Sequence, residues 1–308
     1  MGNQLYSNFF LANEMEDQLN SHLDLQQFIT INNNLVSTDG RKYKVNKYSA
    51  TDSVEAVEMG SGNAGASESR LTTVEYNIKT AQGRASWYDE EEQTDSMAIN
   101  KLILHESEDM FNYIMGDIYG EFKKAPMVVT AETLGFNAFA DAQSMFKSEN
   151  LEGLSIFAFV HPDDVAALRK ALGADLKYVE AFARTGYIGT CAGVGIFTKK
   201  DADKGRIVLG LKEAVTCFNK TGVEIEPERD PNTRKNTRYI RKHFVVALTD
   251  EDKAVQILVG QTASLSEDTS VQSGKTYYAK SGLGYCAVVP AEGDNPVTKG
   301  WYEISVNP

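Results

Sequence analysis

The chain has 308 residues, 42% hydrophobic and 24% charged, which suits one large or two medium folded domains and excludes a disordered chain. Its net charge of −12 argues against a dedicated nucleic-acid gripper, because phosphate binding is driven by clustered Lys and Arg. No run of about 18 apolar residues occurs, and the opening MGNQLYSNFF lacks a basic region followed by an apolar core, so neither a membrane span nor a signal peptide is expected.

Residues 1 to 35 open with an amphipathic segment in which Met15, Leu19, His22, Leu25, Phe28 and Ile29 approximate one helical face. It is either a helix docked on its own molecule or an arm reaching a neighbour. Asp39-Gly40 is a turn signal, followed by an alternating strand at Arg41 to Tyr48. After a Gly-, Ser- and Ala-rich interval, a second alternating run covers Thr73 to Lys79 and is broken by Gln82-Gly83. The pair forms a long two-stranded excursion that needs outside support, since isolated hairpins are marginal in water.

Thr94 to Lys124 carries the longest helical pattern in the chain. Ile99, Ile103, Met110, Ile114, Ile118 and Phe122 share one face, Glu106, Asp109, Asn112, Asp117 and Glu121 fill the other, and Pro126 closes the end. Gly116 and Gly120 mark a place where another backbone can pack closely. A second helix is expected over Leu134 to Phe146, a strand at Ser155 to Val160, and a helix from Pro162 that stops at Gly173. Strands are expected at Gly193 to Lys199, Arg206 to Leu209 and Val223 to Glu226, with a helical turn around Glu213 to Phe218. Glu226 to Arg234 is a charged, turn-rich loop. Thr237 to Leu258 has the pattern of a β-hairpin, with its turn at Thr249 to Asp252, and the tail carries aromatic strands at Thr276 to Tyr278 and Trp301 to Ile304.

Motifs for chemistry are sparse. Gly60-Ser61-Gly62-Asn63-Ala64-Gly65 spells GxGxxG, but an acidic segment precedes it where a buried strand is needed, so it is taken as a loop. Asp89 to Glu92 puts four carboxylates just before a helix, where they favour its positive end; acid/base work there would make the chain a soluble hydrolase. His22, His105, His161 and His243 are scattered, and Cys191, Cys217 and Cys286 show no ligand spacing, so no metal, cofactor or disulfide framework is expected. Arg234, Lys235, Arg238, Arg241 and Lys242 form the one basic cluster. They pair with the abundant acids, within or between chains, or touch DNA.

In this order the parts resemble the major capsid protein of tailed bacteriophages, the Hong Kong 97-type fold. The resemblance runs over about residues 35 to 260. It rests on the strand at Gly40 to Tyr48, Glu58-Met59-Gly60, the return from Tyr76 to Ala85, the acidic Tyr88 to Glu91 before the long helix, Phe159-Val160-His161-Pro162, Gly186 to Phe197, and Val223 to Asp230. It implies an α+β fold with an N-terminal arm (1–46), an extended β-hairpin loop (47–86) and a peripheral domain with a long spine helix (87–128). A mixed α/β axial domain (129–235), a peripheral return hairpin (236–260) and a C-terminal surface module (261–308) follow.

The resemblance further implies a non-enzymatic subunit that assembles with copies of itself as hexamers and pentamers into an icosahedral head shell. Scaffolding and portal proteins are implied partners, and packaged double-stranded DNA is enclosed without sequence specificity. The location is the virion capsid, assembled in the bacterial host cytoplasm. Lys79, Arg84, Gly116, Gly120, Arg234, Arg238 and Arg241 are candidate inter-subunit contacts. Tyr277, Tyr278, Trp301 and Tyr302 belong to the C-terminal stretch, which resembles an aromatic module at the ends of phage structural proteins. The arm leaves little room for a cleaved scaffolding segment. A bacterial nanocompartment shell of the encapsulin kind is the alternative within this fold.

Overall fold

The computed structural model describes residues 25–33, 41–50, 69–94, 98–146, 154–176, 189–291 and 293–306. Met15, Leu19, His22, Asp39-Gly40 and the GxGxxG stretch lie outside them. A short helical turn at Leu25–Gln27 leads to strands β1 (Thr30–Asn32), β2 (Lys42–Ala50), β3 (Ser69–Asn77) and β4 (Lys79–Tyr88). Helices α1 (Asp89–Thr94) and α2 (Ala98–Phe122, the spine) precede β5 (Met127–Ala131), α3 (Phe136–Ser144), β6 (Ile156–Val160) and α4 (Pro162–Leu176). Strands β7 (Thr190–Cys191), β8 (Val194–Thr198), β9 (Arg206–Leu211), β10 (Val215–Asn219), β11 (Glu224–Asp230), β12 (Lys235–Leu248) and β13 (Ala254–Val259) come next. The chain closes with β14 (Gln261–Leu265), β15 (Tyr277–Ser281), β16 (Gly284–Val288), α5 (Pro296–Lys299) and β17 (Tyr302–Val306).

Two sheets share the spine helix. In the five-stranded sheet, β12 is the axis: β4 pairs along Lys235 to Phe244 on one side, while β11 and β10 pair with its successive halves on the other, and β1 runs parallel to β10. The ten-stranded sheet has the order β14-β17-β15-β16-β5-β13-β9-β6-β8-β7. β2 and β3 form a separate antiparallel hairpin.

The alternation of side chains along each strand explains how one helix serves both sheets. Ile240, Phe244, Val246 and Leu248 of β12 join Met110, Ile114, Ile118 and Phe122 of the spine in one core, together with Phe157, Phe159 and Val208 from the ten-stranded sheet. The opposite face of that second sheet, through Ile156, Ala158, Val160, Ile207 and Leu209, packs on α3 and α4. A small third cluster, Val45, Phe218, Val245 and Ala247, fastens the base of the hairpin.

Close approach of the spine is made possible by β4 rather than by its own glycines. Ala81, Gly83 and Ala85 fall on one face of β4, where a Cβ on Gly83 would overlap the Glu106 carboxylate. At Gly116 and Gly120 a Cβ would meet nothing within 4 Å. The Gln82-Gly83 break is therefore absent, since β4 runs through it. At the other end of the spine, Gly210 of β9 lies under Phe122, and a Cβ there would fall 2.8 Å from Cζ.

Other expectations also change. The described part of the spine, Ala98–Phe122, is about 37 Å long at about 1.5 Å per residue, and Asp95 lies outside the described residues. Gly173 sits inside α4 and does not end it. Val215–Asn219 is a strand and not a helical turn: it is sandwiched between β1 and β12, and that pairing overrides the ambiguous period of a six-residue window. The charged loop after Glu226 is strand as far as Asp230; Pro227 is tolerated because β11 is an edge strand.

The expected hairpin from Thr237 to Leu258 does not exist. Ala214 O accepts from Thr249 N at 2.9 Å and Asp250 N at 3.1 Å, and Asp250 caps a helical turn at Glu251–Lys253. The chain is turned out of the first sheet there, and β13 pairs with β5 and β9 in the second.

Candidate assembly surfaces

Among the described residues, the hairpin is held at its base. Tyr43 and Tyr76 pair across β2 and β3, Tyr43 packs on Phe218 at 4.9 Å between ring centres, and Lys42 and Lys44 both reach Glu75, whose carboxyl they hold below the usual carboxylate range. Tyr76 lies where the hairpin meets the end of the spine, with Lys124 Nζ 5.6 Å from its ring centre. Burial, then the nearby Glu121 and Glu251 carboxylates, push its phenol up to about 12.

At the start of β4, Lys79 Nζ lies 2.8 Å from Asp117 Oδ1 of the spine, so this loop lysine is already paired within its own subunit. Glu121, placed by period on the solvent side, is in fact only 8% exposed. Its Oε1 pairs with Lys124 at 2.6 Å, while its Oε2 is buried and unpartnered, as is Asp117 Oδ2. Lys242 is likewise buried, facing the spine side of β12 beside Cys217, whose thiol burial pushes up to about 11.

The basic cluster is distributed over both faces of β12 and most of it meets carboxylates or rings. Arg241 pairs with Glu226, Arg234 with Glu90 at 2.8 Å, and Arg229 with Asp89 at 2.8 Å. Arg238 lies over the Trp87 ring at 5.4 Å, Lys235 over Tyr88 at 6.0 Å, and Arg84 over Tyr239 at 5.7 Å. Asp89 is the anchor: it also accepts from Asn236 Nδ2 at 2.6 Å, and its amide donates to Arg234 O at 3.1 Å. That grip explains how Arg234 holds a left-handed φ of 57°, which costs a non-glycine residue roughly 1 kcal/mol or more. The carboxylate run is thus a structural clasp between α1 and the β11–β12 turn. Glu91 completes it by accepting from Tyr88 N at 3.0 Å.

On the spine, Asp109, Asn112, Tyr113 and Gly116 form the uncovered side, and Gly120 is half-buried. Among the described residues, nothing packs closely on Gly116 or Gly120.

The C-terminal stretch is part of the second sheet and not a separate appendage. β16 pairs with β5 through Cys286↔Met127 and Tyr285↔Val128, and Ala287 N donates to Pro126 O at 2.8 Å. Gly284 permits this, since a Cβ there would fall 2.7 Å from Val128 O. Tyr277 is fully buried and Trp301 nearly so, their rings 5.8 Å apart. Tyr277 OH donates to Asp268 at 2.7 Å and accepts from Gln272 N at 3.0 Å, so these two residues build the module's core and cannot form an exterior patch. Tyr278 and Tyr302 are half-buried on the other face, Tyr302 beside Tyr285.

Among the described residues, no three His, Cys, Asp or Glu side chains come together as a metal would require. The histidines stay apart: His105 faces Asp109, His161 accepts from Asp163 N, and His243 bonds Thr80. No described helix is long and apolar enough to cross a membrane.

No protein-family model matches the chain. Over 159 residues it is 29% identical to the major capsid protein of Staphylococcus phage phiMR11, which covers 48% of this chain and 55% of that protein. The chain thus spans about half the length of the curated relative it matches. The capsid structure of Ralstonia phage GP4 superposes with a TM-score of 0.57 at 10% identity, covering 75% of this chain and 87% of that one. This chain has the Hong Kong 97-type capsid fold. The capsid of cyanophage P-SCSP1u agrees (TM-score 0.56, 11% identity, 75% and 86% covered), as does the SrpI encapsulin of Synechococcus elongatus (TM-score 0.52, 11% identity, 75% and 84% covered). The sequence does not single out the row Ala81, Gly83, Ala85, and it places Asp89 structurally without showing its partners Arg229 and Asn236. Small residues at every second position were the available signal for the first.

Proposed function

We propose that this chain is a major capsid protein that self-assembles, as hexamers and pentamers, into the icosahedral head shell of a tailed bacteriophage around double-stranded DNA. The observation that carries the reading is the likeness to a phage major capsid protein in a chain with the capsid fold. The role is structural and not enzymatic: the mechanism is the burial of small surfaces on neighbours, multiplied by symmetry. In this reading residues 1–46 act as the arm, 47–86 as the extended loop, 87–128 with β12 as the peripheral domain and 129–235 with β13 as the axial domain. Residues 261–308 extend the axial sheet. Gly116, Gly120, Arg84 and Arg234 keep enough exposure to meet neighbouring copies. Lys79, paired with Asp117, Arg241, paired with Glu226, and Arg238, over the Trp87 ring, remain candidate contacts with neighbouring copies. Scaffolding and portal proteins act during assembly in the host cytoplasm, and DNA is enclosed without sequence readout.

Electron microscopy of the purified chain tests this. Closed shells are expected, and a strictly monomeric protein under all assembly conditions would sink the reading. The likeness to an encapsulin favours a second reading, a nanocompartment shell. Particles recovered from cells separate the two, with packaged DNA for the first and protein cargo for the second.

A further inference from the structure

The hairpin is attached to the rest of the subunit by few side chains, and one of them touches more elements than its position suggests. Tyr43, Tyr76 and Ile78 pack against Phe218, Val245 and Ala247, all belonging to the five-stranded sheet. Tyr76 alone reaches further. Its ring sits near Lys124 at the end of the spine, and the Glu121 and Glu251 carboxylates add to the burial that raises its phenol. Glu251 lies in the turn that carries the chain from β12 into the ten-stranded sheet. Lys124 precedes β5, where the chain enters that same sheet by a second route. A single hairpin side chain therefore stands at both crossings between the two sheets.

The acid beside it is unusual. Glu121 is buried with one oxygen paired to Lys124 and the other unpartnered.

We propose that Tyr76 is the positioning residue that sets the angle of the hairpin against the junction of the two sheets. It acts on assembly through the hairpin and does not itself touch a neighbouring subunit. This rests on the shell reading for its consequence but not for its geometry.

The test uses the full-length chain with Tyr76→Leu and Tyr76→Phe, and Thr72→Val, an exposed hairpin position, as control. Hydrogen exchange in the unassembled subunit is the first readout. For Tyr76→Leu, β2 and β3 amides should exchange about tenfold faster while β4 and the spine are unchanged, because only the local opening is affected. Tyr76→Phe, which keeps the ring, should fall between this and wild type, and Thr72→Val should match wild type. The second readout is particle geometry by electron microscopy: Tyr76→Leu should shift the diameter distribution or leave open sheets, while Tyr76→Phe closes normally. Unchanged exchange in β2 and β3, or an equal loss of protection in β4 and the spine, overturns the proposal, the latter because Tyr76 would then be an ordinary core residue. Wild-type particles from Tyr76→Leu would overturn it too. If wild type itself forms no shell, the function falls while the exchange data still judge the positioning role.

Discussion

Gln256 of β13 is a buried amide in an otherwise apolar strand, and it caps the spine helix from the second sheet. Its Nε2 donates to Lys123 O at 2.9 Å and to Ala125 O at 2.7 Å, two carbonyls the helix cannot satisfy at its own end. Gln256→Leu keeps the volume and removes both bonds. The Ala125 bond is buried and the Lys123 bond partly buried. The first carbonyl then bears most of an unsatisfied-acceptor penalty and the second is partly rescued by water, giving about 2 to 4 kcal/mol in all. Urea unfolding of the unassembled chain should show a lower midpoint with an unchanged slope. Gln256→Glu should be worse at neutral pH, because a carboxylate facing two carbonyls is repelled. Its folded pKa would be raised above the unfolded value, so the stability deficit should shrink as pH falls through that raised pKa, when the acid can donate one bond. A Gln256→Leu chain within about 0.5 kcal/mol of wild type would refute the capping argument, since that is the range of a neutral surface change.

Gly210→Ala should destabilise by about 1 to 3 kcal/mol through overpacking on Phe122, and Phe122→Leu in the same chain should recover part of the loss, as thermal melts of the single and double variants would reveal. Gly116→Ala and Gly120→Ala should leave the isolated subunit as stable as wild type or up to about 1 kcal/mol more so, since each adds helix propensity in open space; a defect confined to particle yield would place a neighbour there. The Asp89 and Asp230 carboxyls are held below the usual range, Asp89 by Asn236 and then Arg229, Asp230 by Thr233 and the Asn232 amide. Their contribution is present above the unfolded pKa near 4 and lost as pH falls through the lower folded value. Hydrogen exchange in the β11–β12 turn should therefore accelerate on acidification below about pH 4, and Asp89→Asn should remove most of that pH dependence. Tyr277→Phe should loosen the C-terminal module without shifting β9 or β6, which amide protection would report.

How much of this could be seen in the residues depends on where the determining contact lies in sequence. The spine was legible because its period is carried by neighbours three and four apart, and Met110, Ile114, Ile118 and Phe122 are buried as that period requires. Glu121 was misplaced because the same period ignores the hairpin, which covers that flank from 45 positions away. Thr249 to Asp252 looked like a hairpin turn, yet two apolar runs around a short polar stretch equally describe a corner between sheets. Only the pull of Ala214 on Thr249 and Asp250 decides between them. The aromatic tail showed strands, but alternation alone could not say which of Tyr277 and Tyr278 faces inward. Asp268 and Gln272, which bond the Tyr277 hydroxyl, make that choice.

The last turn of the spine is where these strands of argument meet. Tyr119 OH accepts from Asp203 N at 3.0 Å and Lys123 pairs with Asp203 at 3.2 Å, tying the helix to the loop before β9. Gln256 caps it from β13, Phe122 lies on Gly210, and Glu121 and Lys124 face Tyr76 of the hairpin. Five residues around a single helical turn thus contact β9, β13 and the hairpin at once. A rotation of the second sheet against the first would have to break the Gln256 bonds or slide Phe122 off a glycine too crowded to accept even a methyl group.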